Sequence, residues 1–276
     1  MIATLLRKCN DFKGKQRLSR LMLSSKINLK KNIKIDGKFD CQYIIPNLKE
    51  VIGFELFING IFEEDFIHLI LSKIPNHGTF IDLGANIGSI VVPICKSRPD
   101  INAIAIEASS QMVHYLKKNI DINGILNCKI EQKAIWNISD QELSFYTPEE
   151  QYGKGMLAID KRYNQQELVT TITLDELRHK HKLTKVDFIK VDIEGFEYFA
   201  FNGGAELLKL QDAPDLLFEF IATSEKGVSG LEPGDAQAKL LSFGYQLYEF
   251  KNRKMNPLLK PKTSGFAMIY ATKKAL

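Results

Sequence analysis

Four residues at alternate positions form the stretch whose chemistry is easiest to interpret: Asp82, Gly84, Asn86 and Gly88. The apolar run 80–83 predicts a short buried strand, and a helical pattern of apolar residues follows the glycines. A strand, a glycine turn and a helix form the unit that places a ligand against a helix N-terminus. A dinucleotide turn would read Gly-x-Gly-x-x-Gly, whereas here Asn86 replaces the second glycine and an acid precedes the first.

The acid at position 82 disfavours a pyrophosphate and suits a ligand that carries an ammonium or sulfonium group. Glu107 ends the next apolar run and is placed to accept both hydroxyls of a ribose. Together these residues predict S-adenosylmethionine, a cationic nucleoside without phosphates. We expect Gly84 and Gly88 to allow close backbone approach to its methionine part, and Asp82 or Asn86 to meet its ammonium, directly or through water. The alternative is an NAD-linked enzyme with an incidental acid.

The third strand of the predicted sheet ends near Gln132 and Ala134, where the adenine edge should lie. Ala134 can pack on adenine, and Gln132 can hydrogen-bond to it. Both residues are therefore predicted cofactor contacts.

Three more acids lie at two later apolar strands: Asp192, Glu194 and Glu219. The carboxyl ends of parallel strands meet at one edge of the sheet, so these carboxylates should be close together. For methyl transfer to a hydroxyl, an enzyme must align the acceptor and remove its proton. We predict Asp192 or Glu194 as the base, with Glu219 tuning their pKa or binding substrate hydroxyls.

Two other interpretations of these acids remain open. Their oxygens could hold Mg²⁺, although we predict no bound metal. Glu194 could instead cap the helix that begins near Gly195, and Lys190 could simply pair with Asp192, since residues i and i+2 of a strand share a face.

The elements that must position these residues alternate between strand and helix from residue 75 onwards, which predicts an α/β fold with a mainly parallel sheet. The polar, glycine-bearing segment 147–168 is either a cover over the site or a plain surface loop. Tyr152 and Lys154 within it are candidate substrate contacts.

Basic charge is concentrated near the start of the chain. Residues 1–38 hold eleven Lys and Arg against two Asp, whereas the whole chain has a net charge of only +4. We predict a basic arm over residues 1–74, with helices and a possible hairpin, and a cofactor-binding domain over residues 75–276. The arm is either a solvated leader or a contact surface for an acidic partner, an anionic glycan or a membrane face.

Composition narrows the class of protein further. No apolar run approaches the roughly 20 residues of a spanning helix, and the start of the chain lacks a signal-peptide core. Four cysteines are scattered without metal-ligand spacing, which suits a reducing compartment. The expected location is therefore the cytoplasm.

The sequence resembles the FkbM family of S-adenosylmethionine-dependent methyltransferases over about residues 40–250. The matching segments are 80–88, 106–108, 173–176, 187–195 and 218–220, with 60–64 resembling the segment that precedes the family's core. Ala108 stands where the family usually has proline. The resemblance implies a Rossmann-like class I methyltransferase fold, here with a small N-terminal extension. It also implies a seven-stranded, mostly parallel sheet with an antiparallel last strand, and methyl transfer to an oxygen acceptor.

We therefore predict an O-methyltransferase that acts on a hydroxyl of a sugar, a glycan or a secondary metabolite. The alternatives are a catalytically inactive, methyltransferase-like binding module and an N-methyltransferase. Nucleic acid is not the expected partner, because the strand 217–220 is not followed by the Asn/Asp-Pro-Pro-aromatic motif of amino-methylating enzymes.

Overall fold

A computed structural model describes residues 7, 14–27, 31–147, 155 and 165–275. Its strands are β1 (Lys31–Asp36), β2 (Gln42–Asn47), β3 (Thr79–Leu83), β4 (Asn102–Glu107), β5 (Cys128–Gln132), β6 (Ala134–Ile135), β7 (Glu142–Thr147), β8 (Gln165–Ile172), β9 (Phe188–Val191), β10 (Asp215–Ile221), β11 (Gln246–Lys251), β12 (Lys254–Pro257) and β13 (Phe266–Thr272). Its helices are α1 (Lys15–Ile27), α2 (Val51–Asn59), α3 (Glu64–Lys73), α4 (Val91–Ser97), α5 (Ser110–Ile122), α6 (Leu174–Lys180), α7 (Glu197–Asn202), α8 (Ala205–Lys209), α9 (Ala222–Gly227) and α10 (Asp235–Ser242). Tyr152 and Lys154 lie outside the described residues.

The central sheet has the strand order β12-β11-β13-β10-β9-β3-β4-β5. Strands β10, β9, β3, β4 and β5 are parallel, and β13 runs antiparallel between β10 and β11. Neighbouring residues of β3 alternate between two apolar clusters, Phe80 in one and Ile81 in the other, so both faces of the sheet are buried. The predicted α/β class with an antiparallel last strand is confirmed.

The sheet has eight strands where seven are predicted. The additional strand, β12, pairs antiparallel with β11 at the edge of the sheet. Asn252 and Arg253 between them have φ of 52° and 59°, the left-handed conformation of a two-residue hairpin turn. The basic sequence after β11 lacks apolar alternation, and it therefore resembles a loop although it adds a strand.

The small β1–β2 hairpin is fastened to the main body by two asparagines of α5 and of the turn after it. The side-chain oxygen of Asn119 accepts a hydrogen bond from the Ile44 amide at 2.7 Å, and that of Asn123 accepts one from the Gln42 amide at 2.8 Å. Side chains of α1 and of the hairpin share one apolar cluster with the sheet. The division of the chain at residue 75 stays a prediction.

A second sheet lies beside the central one. Its strand order is β6-β8-β7, with β8 parallel to β6 and antiparallel to β7. Among the described residues, no helix combines the length and the apolar character that crossing a bilayer requires.

Candidate active site

A cleft with an empty volume of about 780 Å³ opens at the carboxyl ends of β3, β4 and β9. This is the edge at which ligands bind in open α/β sheets. The charged residues of its lining are Glu107, Lys133, Lys190, Asp192 and Glu194. The apolar lining comprises Ile52, Phe62, Ile90, Ile106, Ala108, Ala134, Ile135, Phe145, Ile193 and Phe196. Gly155, from the segment between β7 and β8, also lies in the wall.

The turn after β3 depends on glycine for reasons of packing within the protein. Gly84 has φ +78°, and a Cβ atom there would lie 1.9 Å from the Asp192 carbonyl oxygen. Gly88 has φ +87°, and a Cβ atom would lie 2.9 Å from side-chain carbons of Leu116 and Val92. Gly84 lines the cleft, whereas Gly88 does not. The geometry therefore explains Gly88 by close helix packing rather than by approach to a ligand.

These left-handed residues also determine where the following helix begins. The apolar pattern predicts a helix from Ile87, but α4 begins at Val91. Asn86 has φ +51°, which helical backbone does not allow, and Gly88 follows it in the same region. The turn is thereby lengthened, and Asn86 and Ser89 line the cleft.

Asp82 is fully buried beneath the cleft and does not line it. Its Oδ1 lies 3.6 Å from Nζ of Lys190, which also lies 3.2 Å from Oδ2 of Asp192 and 3.3 Å from the Gly84 carbonyl oxygen. Within the described part of the chain, neither carboxylate oxygen of Asp82 has a hydrogen-bond partner. Asp82 therefore acts on the cleft through Lys190 rather than by direct contact.

The pKa values of this buried pair reflect competition between burial and charge. Burial raises the pKa of Asp82, and the neighbouring Lys190 ammonium opposes that shift. Burial alone would lower the pKa of Lys190, but Asp192 and Asp82 outweigh it, and the pKa is raised. The lysine therefore stays charged and links the turn after β3 to the acids after β9.

Glu107, at the end of β4, is 7 % exposed and faces the cleft. Its Oε1 accepts a hydrogen bond from the Ser109 amide at 2.9 Å, and its Oε2 accepts one from the Asn86 amide at 2.8 Å. Each carboxylate oxygen has a second lone pair, so Glu107 can still accept hydrogen bonds from two hydroxyl groups. The amides fix the orientation of the carboxylate toward the cleft.

Of the two predicted adenine contacts at the end of β5, the structure places one in the cleft lining and the other outside it. Ala134 is buried and lines the cleft, while Gln132 is exposed and lies outside the lining. Lys133, the next residue, lines the cleft instead. The lining at this strand end is therefore formed by residues 133–135 and not by Gln132.

The three acids predicted at the far strands do come together. Carboxylate oxygens of Asp192, Glu194 and Glu219 lie within 4.8 Å of one another. Asp192 and Glu194 line the cleft, and Glu219 lies beside them. Such a spacing also matches the oxygen ligands of a single divalent cation.

Two further features mark this group of acids. Burial, followed by the charges of Asp192 and Glu194, raises the pKa of Glu219 to about 9. Glu194 has φ +57°, a strained conformation for a residue with a side chain, and Gly195 after it has φ +100°. A Cβ atom at Gly195 would lie 2.7 Å from the backbone of Ser224, so this turn requires glycine at position 195.

Two further acids near this group are missing from the sequence-based prediction. Burial and then Asp192 raise the pKa of Glu63 to about 8, and Glu63 has φ +51° at the start of α3. Burial also raises the pKa of Glu197 to about 8, although its Oε1 accepts hydrogen bonds from the Ile193 and Gly195 amides. Acids are common at helix N-termini because they interact favourably with the helix dipole. The positions of Glu63 and Glu197 in the sequence therefore do not indicate a role at the cleft.

Comparisons with known proteins give one family match. Residues 82–247 match the family model described as the methyltransferase FkbM domain. A search of the curated proteins finds no match. Similar solved structures include precorrin-6y C5,15-methyltransferase from Geobacter metallireducens GS-15, at 13% identity and a TM-score of 0.44, over 78% of this chain and 90% of that one.

Two other solved structures are similar at the same level. TYW2 from M. jannaschii, in complex with AdoMet, has 13% identity and a TM-score of 0.42 over 88% of this chain and 85% of that one. A putative O-methyltransferase from Klebsiella pneumoniae has 10% identity and a TM-score of 0.40 over 75% and 77%. The family match, which spans more than half of the sequence, is the informative comparison. The chain belongs to the FkbM family of S-adenosylmethionine-dependent methyltransferases.

Proposed function

We propose that the protein transfers a methyl group from S-adenosylmethionine to a hydroxyl of a sugar, a glycan or a secondary metabolite. The observation that carries this proposal is the group of three carboxylates, Asp192, Glu194 and Glu219, whose oxygens lie within 4.8 Å of one another at the cleft. A hydroxyl acceptor must lose a proton during transfer, and a carboxylate at the cleft can accept it.

The residues that line the cleft support this choice of cofactor. Glu107 is held with free lone pairs toward the cavity, where it would accept the ribose hydroxyls. Ala134 and Phe145 offer apolar surface to the adenine ring of the cofactor. Glu107, Asp192 and Glu194 outnumber the two lysines of the lining, and buried Asp82 adds negative charge behind it, which favours a cationic ligand.

S-adenosylmethionine would supply an electrophilic methyl group and leave as a neutral thioether. The residues of this chain then have to orient the acceptor and take its proton. With a pKa of about 9, Glu219 holds its own proton at neutral pH and can donate a hydrogen bond to an acceptor hydroxyl. Asp192 and Glu194 line the cleft and are the candidate bases, with Lys190 fixing the position of Asp192 at 3.2 Å.

A screen of acceptor classes, with and without Mg²⁺, tests this proposal by mass spectrometry and by NMR of the methylated product. We expect an O-methyl product. Loss of the base through Asp192→Asn or Glu194→Gln should reduce turnover about 100-fold or more, with cofactor affinity retained. Glu206→Gln, at a 72 % exposed carboxylate, is the matched control. An N-methyl product, or full turnover in both variants, would contradict the proposed chemistry.

A further inference from the structure

Helix α1 buries two polar side chains and exposes three large apolar ones. Lys15, Ser19 and Leu23, at successive spacings of four, face inward and are at most 3 % exposed. Leu18, Leu21 and Met22 form an apolar stripe on the part of α1 that faces solvent, and they are 46 %, 69 % and 52 % exposed. A helix that only covers its own domain shows the reverse arrangement. No other described part of the chain covers these three side chains, so they are available to a partner.

Contacts with α2 hold α1 in this orientation. The Gln16 side-chain amide donates a hydrogen bond to the Glu55 carboxylate. The guanidinium carbon of Arg20 lies 4.4 Å from the centre of the Phe54 ring, a cation–π contact. Leu23 belongs to the apolar cluster that reaches the central sheet. The exposed stripe is thus presented by a helix that is anchored to the core.

The charge of this part of the sequence indicates what covers the stripe. Arg17 is exposed on α1, and residues 1–38, which the structure describes only in part, carry eleven Lys and Arg against two Asp. A second copy of the chain would bring the same positive charge against itself. An acidic polymer would satisfy the cations but leave Leu18, Leu21 and Met22 in water. An anionic lipid surface offers both negative headgroups and an apolar layer.

We propose that α1 docks the protein on an anionic lipid surface, with Leu18, Leu21 and Met22 entering the headgroup boundary and the basic residues contacting the headgroups. Phe54 and Glu55, which hold α1, lie on the same helix as Ile52, which lines the cleft. Docking would therefore bring the cleft near the lipid surface. This binding does not depend on the acceptor that the enzyme methylates.

Flotation of the full chain with vesicles tests the proposal. Vesicles of phosphatidylcholine mixed with phosphatidylglycerol should bind the protein, and pure phosphatidylcholine vesicles should not; added salt should weaken binding. The double substitution Leu21→Glu and Met22→Glu should reduce binding about tenfold or more, because it places two anions where apolar groups enter the boundary. Its melting temperature should stay unchanged, since both side chains are exposed.

Leu259→Glu is the matched control, since this leucine is 99 % exposed and lies between β12 and β13, outside the α1 stripe. It should leave vesicle binding unchanged. Equal binding of wild type and the double variant would overturn the proposal. So would binding to a soluble polyanion without binding to anionic vesicles. A dimer that the double variant dissociates, in the absence of vesicle binding, would show that a second copy covers the stripe instead.

Discussion

Replacing Glu219 by glutamine should stabilise the folded protein at neutral pH. Burial, and then the charges of Asp192 and Glu194, raise the pKa of this carboxyl from 4.5 to about 9. In the unfolded chain the carboxyl keeps its ordinary pKa. Between these two values the folded state holds a proton that the unfolded state has lost, so the free energy of unfolding falls as the pH rises.

The size of the effect follows from the distance between the working pH and the ordinary pKa of 4.5. One unit corresponds to about 1.4 kcal/mol, so at pH 7 the upper limit of the loss is about 3.5 kcal/mol. The neighbouring carboxylates can share the charge and water can enter the cleft, so we expect about 1–2 kcal/mol. Glutamine keeps the shape of the side chain and does not titrate, so Glu219→Gln should recover that amount.

Denaturant unfolding of wild type and Glu219→Gln at pH 5 and at pH 8 measures this directly. The stability advantage of the variant should be small at pH 5 and larger at pH 8. Glu206→Gln, at an exposed carboxylate, should show no such change. If the advantage of Glu219→Gln were the same at both pH values, the assignment of a raised pKa to Glu219 would be wrong.

Two further substitutions examine how the site is supported. Lys190→Met removes the cation that lies 3.6 Å from Asp82 and 3.2 Å from Asp192, and it should cost about 3–5 kcal/mol in unfolding free energy. Adding Asp82→Asn should recover part of this; no recovery in chemical denaturation would argue against the pairing. Gly84→Ala places a Cβ atom 1.9 Å from a carbonyl oxygen and should cost about 3 kcal/mol or more. Gly124→Ala has a similar φ of +62° with open space around it among the described residues, so it should cost only about 1–2 kcal/mol, and equal costs for the two would refute the steric explanation.

The parts of the fold that were predictable from the sequence are those with strong local patterns. The strands predicted over residues 80–83 and 186–191 are mainly apolar, each with at least one charged residue inside it, and the carboxyl ends of neighbouring parallel strands must meet at one edge of a sheet. The sequence therefore predicts that Asp192, Glu194 and Glu219 lie close together, as they do in the structure. The antiparallel last strand came from the family resemblance.

Features that depend on tertiary geometry were not predictable. The sequence suggests that Asp82 meets the ligand, but only the fold shows that Lys190 lies against it and that Asp82 is buried beneath the cleft. Burial and the charge of Asp192 raise the pKa of Glu63, whose φ is +51° just before α3, and no local sequence pattern encodes that conformation. The exposure of the apolar stripe of α1 was not predictable either, because helical spacing alone does not say which side of a helix faces the core.

Calorimetric titration of S-adenosylmethionine into the purified protein and into Glu107→Gln is the measurement that tests the central claim most directly. Glu107 is the carboxylate that two backbone amides hold toward the cleft. We expect one cofactor to bind each wild-type chain, and the affinity to fall about 10- to 100-fold in the variant, because a charged acceptor of hydroxyl hydrogen bonds is lost. Absence of binding to the wild-type protein, or equal affinity in the variant, would contradict the cofactor site described for this cleft.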